Sequence, residues 1–217
     1  MKKFFGIVSA FVLGIFVTAG ICFAETYAID PVHSEIGFAI KHMSVSNVKG
    51  NFKDYSGSIQ FDSADPAALS AEATIQVASI NTQNTDRDKH ICNADFLDAE
   101  KFPTINFKST SVAKEGDQYV LSGDFTLHGV TKSIAIPLTV SGPVKNPQGA
   151  SIIGLSGEVT INRQDYGITW SKALDTGGLM LGNDVKVSIE IEAGKQAEVV
   201  AADPKIEVDK KTETEKK

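Results

Sequence analysis

Asp30, His33 and Ser34 stand within five residues of one another. They are the residue types of an acid–base–nucleophile relay. Adjacent residues of an extended segment point to opposite faces, so Ser34 and His33 do not meet there. The reading is that Asp30 and His33 fix a turn by hydrogen bonds to the backbone. His42 and His128 are scattered with no ligand spacing, and His128, next to Gly129 in a turn, reads as solvated. No G-x-S-x-G elbow, HExxH pair or glycine-rich phosphate loop occurs. The sequence therefore assigns no catalytic residue, no metal site and no cofactor, and it does not read as an enzyme. Arg87 and His90 differ: their i, i+3 spacing puts them on one face of a helix. They are read either as partners of Asp95 or Asp98, or as a polar clasp for the head group of a ligand at the mouth of a cavity.

The element that must position that pair is the segment Asn81–Phe107, where the alternation typical of the chain stops and a helical pattern begins. One helical excursion is expected over about 84–98, capped by Thr85, with Asp86 and Asp88 suited to the positive N-terminal end. Everything around it alternates. Ile36, Phe38 and Ile40 share one face of a strand. A second strand, Val48–Phe61, changes parity between Phe52 and Ile59 and is expected to bulge or bend sharply near Asp54–Gly57. Further strands follow over 71–80, 104–112, 118–128, 131–140, 151–162 and 184–192. Pro137 is out of step with Ile136 and Leu138, which suits an edge or a bulge. About eight strands linked almost entirely by turns define an all-β antiparallel fold, a barrel or a sandwich. At that strand number a barrel interior is filled by its own side chains or holds one slender ligand.

Composition limits the partners. Lys2 and Lys3, the apolar run from Phe4 to Ile21 and the small Ala24 read as a secretory signal peptide cut after Ala24, which implies a periplasmic location. Cleavage removes two lysines and no acid, so the remaining chain is more acidic than the −6 of the full sequence. Such a chain repels phosphate backbones, and nucleic acid is excluded as a partner class. Only Cys92 survives cleavage, so stability must come from an ordinary core rather than from disulfides. A lone thiol of this kind reads as a small buried apolar group. The expected organisation is a signal peptide over 1–24, a single β domain over 25–193, and a disordered charged tail over 194–217.

Four stretches carry a family resemblance: YAIDPVHSEIGFAIKHMSVSNVKGNF, RDKHICNADFLDAEKFPTINF, GDFTLHGVTKSIAIPL and INRQDYGITW. In this order they resemble the YceI-like family of periplasmic lipid-binding proteins, over roughly Tyr27 to Ile191. The resemblance implies a lipocalin-like β-barrel whose lumen holds a polyisoprenoid or another long-chain lipid, such as an isoprenoid quinone or fatty amide. Phe38, Ile40, Phe52, Phe107, Phe125, Leu127, Ile136 and Trp170 are then the candidate lumen residues, with Arg87 and His90 at the mouth. A homodimer stays open, as does a membrane cytochrome or other envelope partner. An accessory protein acting through protein contacts, or an enzyme acting on a lipid, are the alternative functions.

Overall fold

The computed structural model describes residues 24–65, 68–173, 177 and 179–196. The signal peptide expected over 1–24 therefore lies, up to Phe23, outside the described residues, as does the tail from 197 onward. The first five strands are β1 (Glu25–Ile29), β2 (Glu35–His42), β3 (Ser46–Phe52), β4 (Tyr55–Phe61) and β5 (Ser70–Gln76). The two-residue β6 (Ile80–Asn81) and the helix α1 (Thr85–Cys92) come next. Five longer strands complete the chain: β7 (Thr104–Glu115), β8 (Gln118–Leu127), β9 (Val130–Lys145), β10 (Ser151–Asn162) and β11 (Leu181–Lys195).

The sheet closes on itself. β1 pairs with β4 on one side and with the last residues of β11 on the other, which completes the ring β1-β4-β5-β7-β8-β9-β10-β11. The first half of β11 pairs instead with β2, which continues through β3 to β6. Three long strands are thus each broken in two. β1 gives way to β2 at Asp30–Ser34, β3 to β4 at Lys53-Asp54, and β5 to β6 at a one-turn 3-10 helix, Val77–Ser79. Counted across their breaks there are eight antiparallel strands, the expected number. The expected single strand Val48–Phe61, bulged or sharply bent, is two strands, Ser46–Phe52 and Tyr55–Phe61, parted at Lys53-Asp54. The breaks of neighbouring strands satisfy one another: Lys53 N donates to Ser79 O at 3.1 Å and Gln76 N to Asp54 O at 2.9 Å. At the first two, the inward parity shifts, so Tyr27 and Tyr55 before and after face the same interior as Ile36 and Phe52.

Other expectations shift in detail. Asn84, not Thr85, caps α1, its side chain accepting from Arg87 N at 2.9 Å. A residue at the cap must have extended backbone, which Asn84 has with φ −148° and ψ 105°. Gly194 and Lys195, placed in the tail from sequence, pair with Ala28 and Tyr27 and end β11. His128 is half-buried rather than solvated: Nδ1 lies 3.0 Å from Tyr166 O and its ring packs edge-on to Phe102. Pairing of β9 with β10 ends at Leu138, the residue after Pro137, so the proline sits where one side of the ladder stops.

The interior has two parts. At one end Tyr27, Ile59, Leu121 and Ile153, each no more than 2% exposed, pack with Ile136, Leu138 and Leu155 into a filled core. At the other end Val77, Ile105, Leu127, Ile161, Tyr166 and Ile168 form a second cluster beneath α1. Truncating Leu121 to alanine removes a methylene-rich side chain from the filled end, where neighbours close only partly over the gap. Such changes cost about 2–5 kcal/mol. Urea unfolding of Leu121→Ala is expected to show a loss of about 3 kcal/mol, with the β-sheet signal of the native state unchanged.

Candidate functional site

The second end of the barrel is hollow. A cavity of about 290 Å³ lies between β2, β3, the ends of β7, β8 and β10, the start of β11, and α1. Its wall is almost wholly apolar. Ile36, Phe38 and Ile40 line it from β2, Val48 and Phe52 from β3, and Val185 and Val187 from β11. Ile91, Phe96 and Leu97 cover it from the helical segment. Two glycines make room for aromatic rings inside the barrel. A Cβ on Gly50 would sit 2.5 Å from Phe38 Cζ, and one on Gly123 2.7 Å from the Phe107 ring.

The segment after α1 is shaped to close the top. Leu97 N donates back to Ile91 O and Ala99 N to Cys92 O, both at 2.9 Å. The chain therefore doubles under the helix and turns Phe96 and Leu97 inward. Three rings lock this cover to the loop before β11: His90 to Phe96 at 5.0 Å, His90 to Trp170 at 5.4 Å and Phe96 to Trp170 at 4.9 Å between centroids. Contacts of this kind add about 0.5–1.5 kcal/mol per aromatic pair beyond burial. Below them Tyr166, from the 3-10 turn Arg163–Tyr166, packs edge-on to Phe125 at 5.6 Å. Lys132 of β9 pairs with Asp165 at 3.4 Å, tying that turn across to the sheet beyond the last β9–β10 pair.

Of the residues singled out in the sequence, Phe38, Ile40, Phe52, Phe125, Leu127, Trp170, Arg87 and His90 line the cavity. Phe107 and Ile136 do not. Both face the barrel interior, but at the depth of the filled core, where they pack with the cluster around Leu121. His42, left unassigned in the sequence, lines the cavity as well. His90 Nε2 is 3.1 Å from Asp95 Oδ2, one of the two partners considered for it. Arg87 has no carboxylate partner: Nε donates to Thr82 Oγ1 and Nη2 to Thr82 O, each at 2.8 Å.

Arg163 is a further site residue that sequence reasoning missed. It is 3% exposed, and burial pushes its pKa down. Its guanidinium donates to the backbone oxygens of Gly182, Ile168 and Trp170 at 2.8–2.9 Å, and to Asn183 Oδ1 at 3.3 Å. It thereby pins Ile168, Trp170 and the start of β11 against the end of β10. Its place in INRQDYGITW gave one signal: an arginine following an alternating strand and preceding a tight turn.

Outside the cavity, the relay types at the first strand break are drawn apart. Ser34 Oγ accepts from Glu192 N at 2.9 Å and donates to Glu192 O at 3.2 Å, suturing the break to β11. His33 Nδ1 is 2.8 Å from Asp30 Oδ2, and Asp30 Oδ1 accepts from Val32 N. With Glu192 these form a trio whose ligand-type atoms lie within 4.8 Å of one another, a grouping invisible in sequence because Glu192 comes from the far end of the chain. The hydrogen bond to Asp30, then its charge and that of Glu192, raise the pKa of His33, while the His33 hydrogen bond lowers that of Asp30. The contribution of His33 is present below the unfolded value near about 6.5 and lost as pH rises through its raised folded value. That of Asp30 is lost as pH falls through its lowered one. An NMR titration of His33 is expected to show a midpoint above the free-histidine value that drops toward it in Asp30→Asn. An unchanged midpoint would refute the pairing. Cys92 is half-buried, and its thiol is pushed up first by burial and then by Asp88.

Comparison with known proteins agrees with this architecture. The family model for the YceI-like domain matches residues 27–193. The UPF0312 protein SA2479 of Staphylococcus aureus (strain N315) is 39% identical over 167 residues, 76% of this chain and 95% of that protein. The crystal structure of the Campylobacter jejuni YCEI protein superposes with a TM-score of 0.64 at 36% identity, covering 73% of this chain and 91% of that one. The polyisoprenoid binding domain from Saccharophagus degradans implicated in plant cell wall breakdown shares the fold, with a TM-score of 0.61 at 17% identity over 81% of this chain and all of that one. With the family model matching residues 27–193 of a barrel that runs from Glu25 to Lys195, the chain belongs to the YceI-like domain family.

Proposed function

We propose that the protein is an exported lipid-binding protein that holds the long apolar chain of a polyisoprenoid or related lipid in the hollow end of its barrel. The observation that carries this reading is the cavity: about 290 Å³ inside a closed barrel, with an apolar wall and a helical cover. Its size is at the lower end of the range of ligand pockets, about 300–1,000 Å³, which suits a slender chain. Each methylene buried there contributes about 0.8 kcal/mol. Polar groups at the mouth need only orient the ligand. Membership of the YceI-like family supports the same reading, and the polyisoprenoid binding domain of Saccharophagus degradans has the same fold. The role is transport, storage or sequestration of a water-insoluble molecule in the periplasm, without turnover.

Native mass spectrometry of the protein purified from its own host tests this. A species heavier by the mass of one lipid is expected, and that lipid should be extractable into organic solvent. Repeated recovery of the bare protein mass would overturn the proposal. A second reading, docking to a membrane or an envelope protein, is favoured by one observation. Met43 and Val45, in the β2–β3 turn, and Leu179 are 41%, 84% and 42% exposed. They adjoin the cavity-lining His42 and Met180, Met43 N donating to Met180 O at 2.8 Å. A partner that co-purifies even after delipidation would favour it.

A further inference from the structure

The chain has two arginines, Arg87 and Arg163, and both line the cavity. None of the lining residues is Asp, Glu or Lys, and the other ionisable ones are His42 and His90. A protein with a net charge of −6 has thus placed its two permanent guanidinium charges around its apolar hollow, with no acid on the wall. Neither arginine is in an ion pair among the described residues. Arg163 is buried, and every acceptor it meets is a neutral oxygen. Arg87 is held by its Nε and Nη2 edge against Thr82, itself 4% exposed. Of the two aspartates that flank Arg87 in sequence, Asp86 and Asp88, the second is engaged by Thr82: Oδ1 accepts from Thr82 N at 2.8 Å and from Thr82 Oγ1 at 2.6 Å. Thr82 therefore stands between the acid and the guanidinium and fixes the rotamer of Arg87. Its Nη1 has no protein acceptor among the described residues.

A guanidinium with no direct carboxylate partner at the edge of a low-dielectric hollow attracts an anion delivered there more strongly than it would in water. The planar fork of arginine matches the two oxygens of a carboxylate or phosphate. Resting on the lipid-binding reading above, we infer that the preferred ligand is a long-chain amphiphile with an anionic head, a carboxylate or a phosphate monoester, seated against Arg87 while its tail fills the apolar wall. A neutral head of the same length would leave both charges as they are and gain only the burial of its chain.

The test is a calorimetric comparison of four ligands with the same tail: hexadecanoate, hexadecyl phosphate, hexadecan-1-ol and hexadecanamide. The full folded protein is used after delipidation. At least tenfold tighter binding of the two anions than of the alcohol and amide is expected. Arg87→Gln, checked for an unchanged melting curve, is expected to reduce anion affinity to the level of the alcohol and leave alcohol affinity as it was. Whichever anion binds better identifies the head group as carboxylate or phosphate. Equal affinity for all four, or an equal loss for all four in Arg87→Gln, overturns the inference and leaves the lipid-binding reading standing. Failure of all four to bind overturns both.

Discussion

Replacing Val187 with tryptophan is expected to abolish binding of a long-chain lipid while leaving the protein folded and at least as stable. Val187 lines the cavity from β11, opposite Phe38 on β2 and Val159 on β10. An indole there occupies space that is empty in the structure. If it displaces about five methylenes of a ligand, the loss is about 4 kcal/mol at about 0.8 kcal/mol each, roughly a thousandfold in Kd. Overpacking a filled core usually costs about 1–3 kcal/mol, and the hollow end lacks that resistance. Displacement of a fluorescent prenyl probe measures the first effect and urea unfolding the second. Retained affinity in a folded Val187→Trp protein would move the ligand elsewhere. Ile153→Trp, in the filled end, is the matched control and is expected to destabilise the fold.

The second large effect concerns Arg163. Arg163→Met keeps the volume of the stem and removes every donor of the guanidinium. The carbonyls of Ile168, Trp170 and Gly182 then lose their partner, in a region where Ile168 is 4% exposed. A hydrogen bond to a charged group contributes about 1.5–3 kcal/mol, and a buried polar group left unmatched costs about 1–3 kcal/mol. Water entering from the cavity offsets part of this. A net loss of about 4 kcal/mol is expected in chemical denaturation, with faster hydrogen exchange over 168–182. Arg163→Lys is expected to recover only a fraction, because one ammonium cannot reach three carbonyls and an amide in the plane of a fork. A loss below about 1 kcal/mol, the value of an ordinary hydrogen bond, would show that the loop is held by its apolar contacts instead.

Strand identity and inward parity were legible in the sequence because alternation is a local signal. Phe38 and Ile40, Phe125 and Leu127, and Ile134, Ile136 and Leu138 all face the interior as their spacing requires. Depth along the barrel was not legible. Phe107 is paired directly with Phe125 across β7 and β8, yet the first packs into the filled core and the second reaches the cavity. Which end is hollow depends on where distant strands place their bulk, and no local pattern encodes that. The break at Lys53-Asp54 announced itself as a change of parity between Phe52 and Ile59, which left a bulge and a sharp bend equally open. The break at Val77–Ser79 gave no such sign, because Val77 continues the inward series of Ala73 and Ile75 and is itself buried. Arg163 escaped for a different reason. A lone arginine before a turn looks like a surface residue, and its burial rests on oxygens supplied by residues up to 20 positions along the chain.

The division of the interior into a filled end and a hollow one has a consequence for the history of such proteins. The most deeply buried side chains of the filled end, Tyr27, Ile59, Leu121 and Ile153, are not among those that line the hollow end. Substitutions at the half-buried wall positions Phe38, Ile40, Val185 and Val187 therefore disturb the fold less than those at Arg163 or in the filled end. If the hollow end holds a lipid as proposed, a lineage built on this plan can trade one cargo for another by a few changes in β2, α1 and the start of β11, while the opposite end stays as it was.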